Sequence, residues 1–296
     1  MVVAAEKRAR FRELLATKDA IVAPGVYDCL SARVVQRAGF DAAIVTGAGI
    51  AASILGVPDV GLTTMTEALG QTRNIAAAID IPLVADCDTG YGNPINVRRT
   101  VTEFEAAGVA ALFIEDQVAP KRCGHFDGKQ VIPAEDMVHK IRAAVDARTD
   151  PGLLLMARTD SRATSGVEEA IRRSALYVDA GAEMLFVEAP QTEEELRQIA
   201  KRLSGLGVPL MVNLVEGGRT PLLPVAELAD MGFRFVSFSG SLQKTALKAM
   251  QGFLESLRSN GTVDEYFPSA MLSLDERSEI LGMGEFTELE RRYATQ

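Results

Sequence analysis

No apolar run in this 296-residue chain approaches the roughly 18 residues that a membrane-spanning helix needs. The opening stretch MVVAAEKRARFRELL is charged and amphipathic rather than a signal peptide, so the expected location is the cytoplasm. Basic charge is in short supply. Lys and Arg number 31 against 40 Asp and Glu, for a net charge of -9. A nucleic acid or an anionic membrane surface would favour a basic patch, so neither is expected as a partner, and an anionic substrate must find positive charge locally. Cys29, Cys87 and Cys123 are odd in number and lack CxxC spacing, which argues against a disulfide framework and a zinc knuckle. No GxGxxG follows the first strand pattern, which removes the dinucleotide-binding fingerprint.

What remains is rich in core-forming residues. A hydrophobic content of 47% at this length supports one large barrel or two modest domains. The pattern decides between them, because a short β-branched run, a polar turn and a longer helical stretch alternate along the chain. Strands are expected at Ile21 to Ala23, Ala42 to Thr46, Leu83 to Asp86, Ala111 to Glu115, Leu153 to Arg158, Met184 to Glu188, Leu210 to Asn213 and Phe235 to Phe238. Helical spacing follows each, as at Val131 to Ala147 and Val167 to Ala180. Gly39, Gly108 and Gly181, each in an alanine-glycine phrase, mark helix ends where a left-handed φ is needed before the next strand. Eight such units in about 250 residues fit a (β/α)8 TIM barrel of the α/β class. Residues 1–251 are read as the barrel and 252–296 as a C-terminal helical extension, packed on a neighbouring subunit or on its own barrel.

Catalytic groups of such barrels sit at the carboxyl ends of the strands. Thr46, Asp86, Asp88, Glu115, Arg158, Glu188 and Asn213 all fall there. On extended chain Asp86 and Asp88 would point to one side and Cys87 to the other. With Glu115 they suit a hard cation, and Mg2+ fits best because it keeps waters and takes substrate oxygens, with Mn2+ as an alternative; a helix cap or solvated turn also accounts for the Asp pair taken alone. In Lys121-Arg122-Cys123-Gly124-His125 the basic neighbours should lower the thiol pKa, and Gly124 lets backbone approach a ligand, although an isolated Cys is ordinarily a small buried hydrophobe. Arg158 offers a planar fork to a carboxylate, which Glu188 could orient, unless the two are a structural ion pair. His139 lies in a helical pattern and reads as surface.

TGAGIAASILGVPDVG, ADCDTGYGN, IEDQVAPKRCGH, ARTD, GAEMLFVEAP and NLVEGGRTP together resemble the isocitrate lyase and phosphoenolpyruvate mutase superfamily over almost the whole chain. The resemblance implies a barrel whose last helix swaps between paired subunits of a homotetramer. It implies a mobile loop around Cys123 that closes over a small anionic carboxylate. Asp86, Asp88 and Glu115 would hold Mg2+ directly or through water, supported by Asp59. Thr46, Gly47 and Ala48 would bind the keto-acid carboxylate, with Gly124, Arg158 and Asn213 lining the rest. Cys123, Lys121, His125 and Glu188 would form the catalytic group, with Cys123 as the acid that protonates the departing carbanion. The implied reaction is carbon-carbon cleavage of a 2-methylisocitrate or 2-alkylmalate; the alternatives are an oxaloacetate hydrolase or decarboxylase, and a carboxyphosphonoenolpyruvate phosphonomutase. A non-catalytic keto-acid binder is the reading from outside enzymology.

The chain departs from the pattern of methylisocitrate lyases in places that bear on the substrate. Where these carry two arginines that grip the far carboxylates, Lys244 and Leu274 stand here. Lysine cannot reproduce a bidentate grip and leucine cannot bind an anion, so a smaller substrate is expected. Phe238-Ser239-Gly240-Ser241 replaces the usual YPLS and should reshape the pocket floor.

Overall fold

The computed structural model describes residues 2–264 and 266–294. Eight parallel strands close on themselves in chain order: β1 Ile21–Val26, β2 Ala43–Val45, β3 Leu83–Asp86, β4 Ala111–Glu115, β5 Leu154–Thr159, β6 Met184–Val187, β7 Leu210–Asn213 and β8 Phe233–Phe238. Helices run outside, so the chain is a (β/α)8 barrel. Local chemistry sets their starts. Asp28 caps Cys29–Arg37, the Thr64–Glu67 capping box opens Met65–Ala78, and Asn93 with Pro94 at the first helical position opens Pro94–Ala106. Their ends match the glycine expectation: Gly39, Gly108 and Gly181 have φ of 85°, 88° and 108°. Pro133 delays the helix expected from Val131, which begins at Ala134 and runs to Ala147. Among the described residues no helix is long and apolar enough to cross a membrane.

Two apolar clusters divide the core. The larger lies between sheet and helices and takes Val45, Leu83, Ala85, Leu112, Ile114, Leu155, Leu185 and Val212 from the strands. The smaller fills the barrel with Ile44, Val84, Phe113, Met156, Phe186, Met211 and Phe235. The two sets alternate along β2 to β7, as the pleat requires. Helix Ala4–Thr17 closes the amino-terminal end of the barrel with fully buried Phe11, edge-on to Phe235 with ring centroids 5.7 Å apart.

Beyond β8, a helix spans Ser241–Asn260, so the sequence division between 251 and 252 falls inside one helix. Its Leu247, Met250, Leu254 and Leu257 are exposed. Part of the extension returns to its own barrel, where Arg37 of helix Cys29–Arg37 pairs with Glu279.

Candidate active site

Strand alternation predicts which side chains reach the open end of the barrel. The inward positions Ile44, Val84, Phe113, Met156, Phe186, Met211 and Phe235 are each followed two residues later by Thr46, Asp86, Glu115, Arg158, Glu188, Asn213 and Ser237. One polar layer therefore sits directly on the last apolar layer. A cavity of ≈ 110 Å³ opens there, room for several water-sized groups, since one needs about 10–15 Å³ on this measure.

Thr46, Ala48, Asp59, Asp86, Cys123, Gly124, His125, Arg158, Glu188 and Asn213 line the cavity. Gly47, Asp88, Glu115 and Lys121 stand just behind it. The Gly47 N–H donates to Asp86 Oδ2 at 3.0 Å, and a Cβ on Gly47 would lie 3.0 Å from Asp88 Oδ1 and 3.3 Å from Lys121 Nζ. Asp86 and Asp88 thus meet at one place, but not by extended geometry. Asp88 has a φ of 46° and its N–H donates to Asp86 Oδ1 at 3.0 Å, a tight turn of the kind that Asp tolerates. Cys87 points outward into the helix-facing core as expected and is fully buried.

Lys121 is not free to activate a thiol. Its ammonium lies 2.7 Å from Asp59 Oδ1 and 2.8 Å from Asp88 Oδ1. Burial opposes its charge, yet Asp88, Glu115, Asp86 and Asp59 outweigh that and raise its pKa well above the ordinary lysine value. Arg122 is exposed, with its backbone tied to Gln117. The expected lowering of the Cys123 pKa is accordingly overturned. Burial pushes this thiol up, Glu188 and Asp59 add to the rise, and the His125 backbone and Arg158 only partly offset it. A thiol that stays protonated suits an acid better than a nucleophile.

Arg158 is surrounded by acids: Asp160 Oδ2 at 2.9 Å and Glu115 Oε2 at 3.1 Å from Nε, and Glu188 Oε2 at 3.3 Å from Nη1. It also lies 5.2 Å above the Phe186 ring. Burial raises the Glu115 pKa well above normal despite Arg158. Burial pushes Glu188 the same way, but Arg158 and His125 reverse the result and its pKa is lowered. His125 Nε2 lies 3.1 Å from Glu188 Oε1. Gly124 passes so close that a Cβ there would lie 2.4 Å from Glu188 Cγ and 2.6 Å from Arg158 Nη2. Any other residue would push the loop off the site. Asn213 Oδ1 accepts from Ser237 Oγ at 2.9 Å and Ser239 Oγ at 2.7 Å, which leaves its Nδ2 to donate.

Several lining or supporting residues were not foreseen. Asp160 orients Arg158, and buried Lys129 joins Asp160, at 3.0 Å, to the Gly124 carbonyl. Asp160 follows Arg158 by two residues, the same spacing that drew attention to Asp86 and Asp88. Ser239 and Gly240, from the segment expected to shape the pocket floor, do line the cavity. Val215 and Gln243 complete the wall, and Gln243 donates to the Gly49 carbonyl. Their positions carried no signal.

The donors fit a divalent cation. The carboxylates Asp59, Asp86, Asp88, Glu115, Asp160 and Glu188 outnumber Lys121, Lys129 and Arg158. The oxygens of Glu115 and of Glu188 are buried without a well-directed hydrogen bond. Glu115 Oε2 and both oxygens of Glu188 meet Arg158 and His125 only as ion contacts, and Glu115 Oε1 has no hydrogen-bond partner, a costly state that a bound cation or its water would relieve. Burial also lifts the Asp88 pKa to about 6. Among the described residues no three Asp, Glu, His or Cys side chains converge tightly enough to enclose an ion by themselves. An ion would take one or two carboxylates and keep water and substrate oxygens, the coordination habit of Mg2+.

Fold and site together define a barrel enzyme of small carboxylates, with a thiol-bearing loop over a carboxylate cluster. Residues 11–258 match the phosphoenolpyruvate phosphomutase family, and the chain belongs to this superfamily of phosphoenolpyruvate mutases and isocitrate lyases. It is 45% identical over 287 residues to the 2,3-dimethylmalate lyase of Eubacterium barkeri, covering 97% of this chain and 98% of that one. To the 2-methylisocitrate lyase of Aeropyrum pernix it is 45% identical over 251 residues, covering 85% of this chain and 80% of the relative. The crystal structure of phosphonopyruvate hydrolase in complex with oxalate and Mg++ superposes with a TM-score of 0.88 at 30% identity, over 99% of each chain. Two of these relatives are lyases and one is a hydrolase, and members of the superfamily use a divalent metal.

Proposed function

We propose that this enzyme is a Mg2+-dependent lyase that cleaves a 2-alkylmalate between C2 and C3 to give a 2-keto acid and a carboxylic acid. The observation that carries the reading is the buried carboxylate layer, in which Glu115 Oε1 lacks a hydrogen-bond partner, beneath the Cys123 thiol. Asp86 and Asp88 would hold the cation, Glu115 would bind its water shell, and Asp59 would fix Lys121 beside them. When bound, the metal would polarise the 2-oxygen and carboxylate of the substrate. Arg158 and the Asn213 amide would grip that carboxylate, with Thr46 and Ala48 forming the adjacent wall. Loss of the 2-hydroxyl proton would break the adjacent bond, and the Cys123 Sγ–H would protonate C3 of the departing enolate. His125 and Glu188 would orient the loop and Arg158.

The alkylmalate preference rests on the far end of the pocket. Lys244, at the position expected to grip a distal carboxylate, instead pairs with Glu216 and donates to its carbonyl. Leu274 is 74% exposed. Neither supplies the cation that a tricarboxylate needs. The exposed apolar side chains of helix Ser241–Asn260 support a subunit contact, consistent with a swapped tetramer. The test is keto-acid release from alkylmalates, methylisocitrate and oxaloacetate, with Mg2+ and then with chelator. Release from alkylmalates with the highest kcat/KM, lost on chelation, is expected. A higher kcat/KM for methylisocitrate would refute the preference, and acetate with oxalate from oxaloacetate alone would replace the lyase with a hydrolase.

A further inference from the structure

The loop that carries Cys123 is held at its base by an antiparallel bridge between Gln117 and Val131. Its tip is held by a different strand's loop, the one that follows β7. The Arg219 backbone N–H donates to His125 Nδ1 at 3.0 Å, its Nε donates to the His125 carbonyl at 3.2 Å, and its Nη2 reaches Asp127 Oδ1 at 2.5 Å. Gly218 packs against the imidazole so tightly that a Cβ there would lie 2.7 Å from Nδ1. The holding segment is itself braced, because Ser241 and Lys244 both bond Glu216.

These contacts have a chemical consequence. A neutral imidazole that accepts at Nδ1 carries its proton on Nε2, and Nε2 faces Glu188 at 3.1 Å. The same grip that fixes the loop therefore fixes which proton Glu188 meets. The Arg219–Asp127 part of this grip is the easily released one. The Arg219 and Asp127 side chains are 36% and 91% exposed, and exposed ion pairs hold weakly. Lys129 offers the contrast: its side chain is 2% exposed and bound to Asp160, so it belongs to the permanent frame.

We propose that Arg219 is a positioning residue, a reversible catch that holds the Cys123 loop closed and aligns His125 on Glu188. The proposal rests on the reading of this loop as part of the lyase machinery. A catch of this kind sets how often the loop is shut when substrate is bound, and its weakness lets product leave.

The test compares the full-length parent with Arg219→Ala, Arg219→Lys and Asp127→Ala, using hydrogen–deuterium exchange, thermal denaturation and steady-state kinetics. For Arg219→Ala, amide exchange across 121–128 should accelerate while exchange in the barrel strands and the melting temperature stay at parental values. Its kcat should fall by roughly 10- to 100-fold, the scale of a displaced catalytic group, with KM changed less. Arg219→Lys should lie between, because lysine can still pair with Asp127 but cannot also reach the His125 carbonyl in the same fork. Asp127→Ala should show the same signs at smaller size. Unchanged loop exchange in a folded Arg219→Ala protein overturns the catch, and faster exchange with parental kcat overturns the positioning role. If the parent cleaves none of the acids tested, the lyase reading fails, and the exchange data alone decide whether Arg219 is the catch.

Discussion

The two ends of the barrel bury charge in opposite ways. At the closed end Lys7 donates to the Ala76 and Ile79 carbonyls at 2.8 and 2.5 Å. Arg8 donates to the Val109 and Glu105 carbonyls and pairs with Asp150, and Arg12 donates to the Gly152 and Pro151 carbonyls and pairs with Glu183. These cations tie helix Ala4–Thr17 to the barrel. At the open end Glu115 and Glu188 are as deeply buried, yet their oxygens meet Arg158 and His125 only as ion contacts, without well-directed hydrogen bonds. Hydrogen bonds to charged groups stabilise by about 1.5–3 kcal/mol, and unmet buried groups cost a comparable or larger amount. The closed end contributes stability, while the open end leaves carboxylate oxygens less fully satisfied.

The sharpest break of this contrast would come from Asp86→Ala. It should remove divalent-cation binding by calorimetry together with nearly all turnover; activity within a few fold of the parent would mean that the carboxylate layer is structural, like the closed end. Cys123→Ser is next. Removing a general acid costs about 10²–10⁴ in rate, so turnover should fall on that scale while oxalate affinity, which the proposed function assigns to Asp86, Asp88 and Arg158, stays near parental. Loss of oxalate binding in parallel would assign the thiol to loop structure. The reciprocal change at the closed end is Phe11→Ala, expected to lower unfolding free energy by about 3–5 kcal/mol and leave kcat/KM of the folded enzyme unchanged. A kinetic defect there would show that the two ends are coupled. The smallest effect concerns the Cys123 thiol. In metal-free protein its alkylation by iodoacetamide should rise with pH along a curve whose midpoint lies above the ordinary thiol value of 9.0, because burial raises its pKa and only the thiolate reacts. A midpoint below 9 would restore the basic-loop reading.

The strands were legible because a parallel barrel demands short buried runs with turns at fixed intervals, and all eight observed strands overlap the expected ones. Thr46, Asp86, Glu115, Arg158, Glu188 and Asn213 could be found because strand ends place side chains by alternation. The properties set by loop conformation were not legible. The capture of Lys121 by Asp59 and the pairing of Lys244 with Glu216 depend on which distant acid lies nearest, and the left-handed turn at Asp88 on a local bond to Asp86, none of which spacing encodes. Counting basic neighbours along the chain misjudged Cys123, since Lys121 turns to the carboxylates and Arg122 to solvent. Gln243 and Val215 reach the pocket only through the packing of elements after β7 and β8.

The inward stacking also limits how this pocket can be redesigned. Ile44, Phe113, Phe186 and Met211 belong to the barrel-filling cluster and also line the cavity, with Phe113 and Phe186 edge-on at 5.9 Å. The chamber has no separate floorboards that an engineer could lift. Trimming Phe186 to admit a longer substrate tail would hollow out the molecule's own interior and unseat the ring beneath Arg158. New substrates are better accommodated sideways, through Val215 and Gln243, where the wall is built from segments outside that stack.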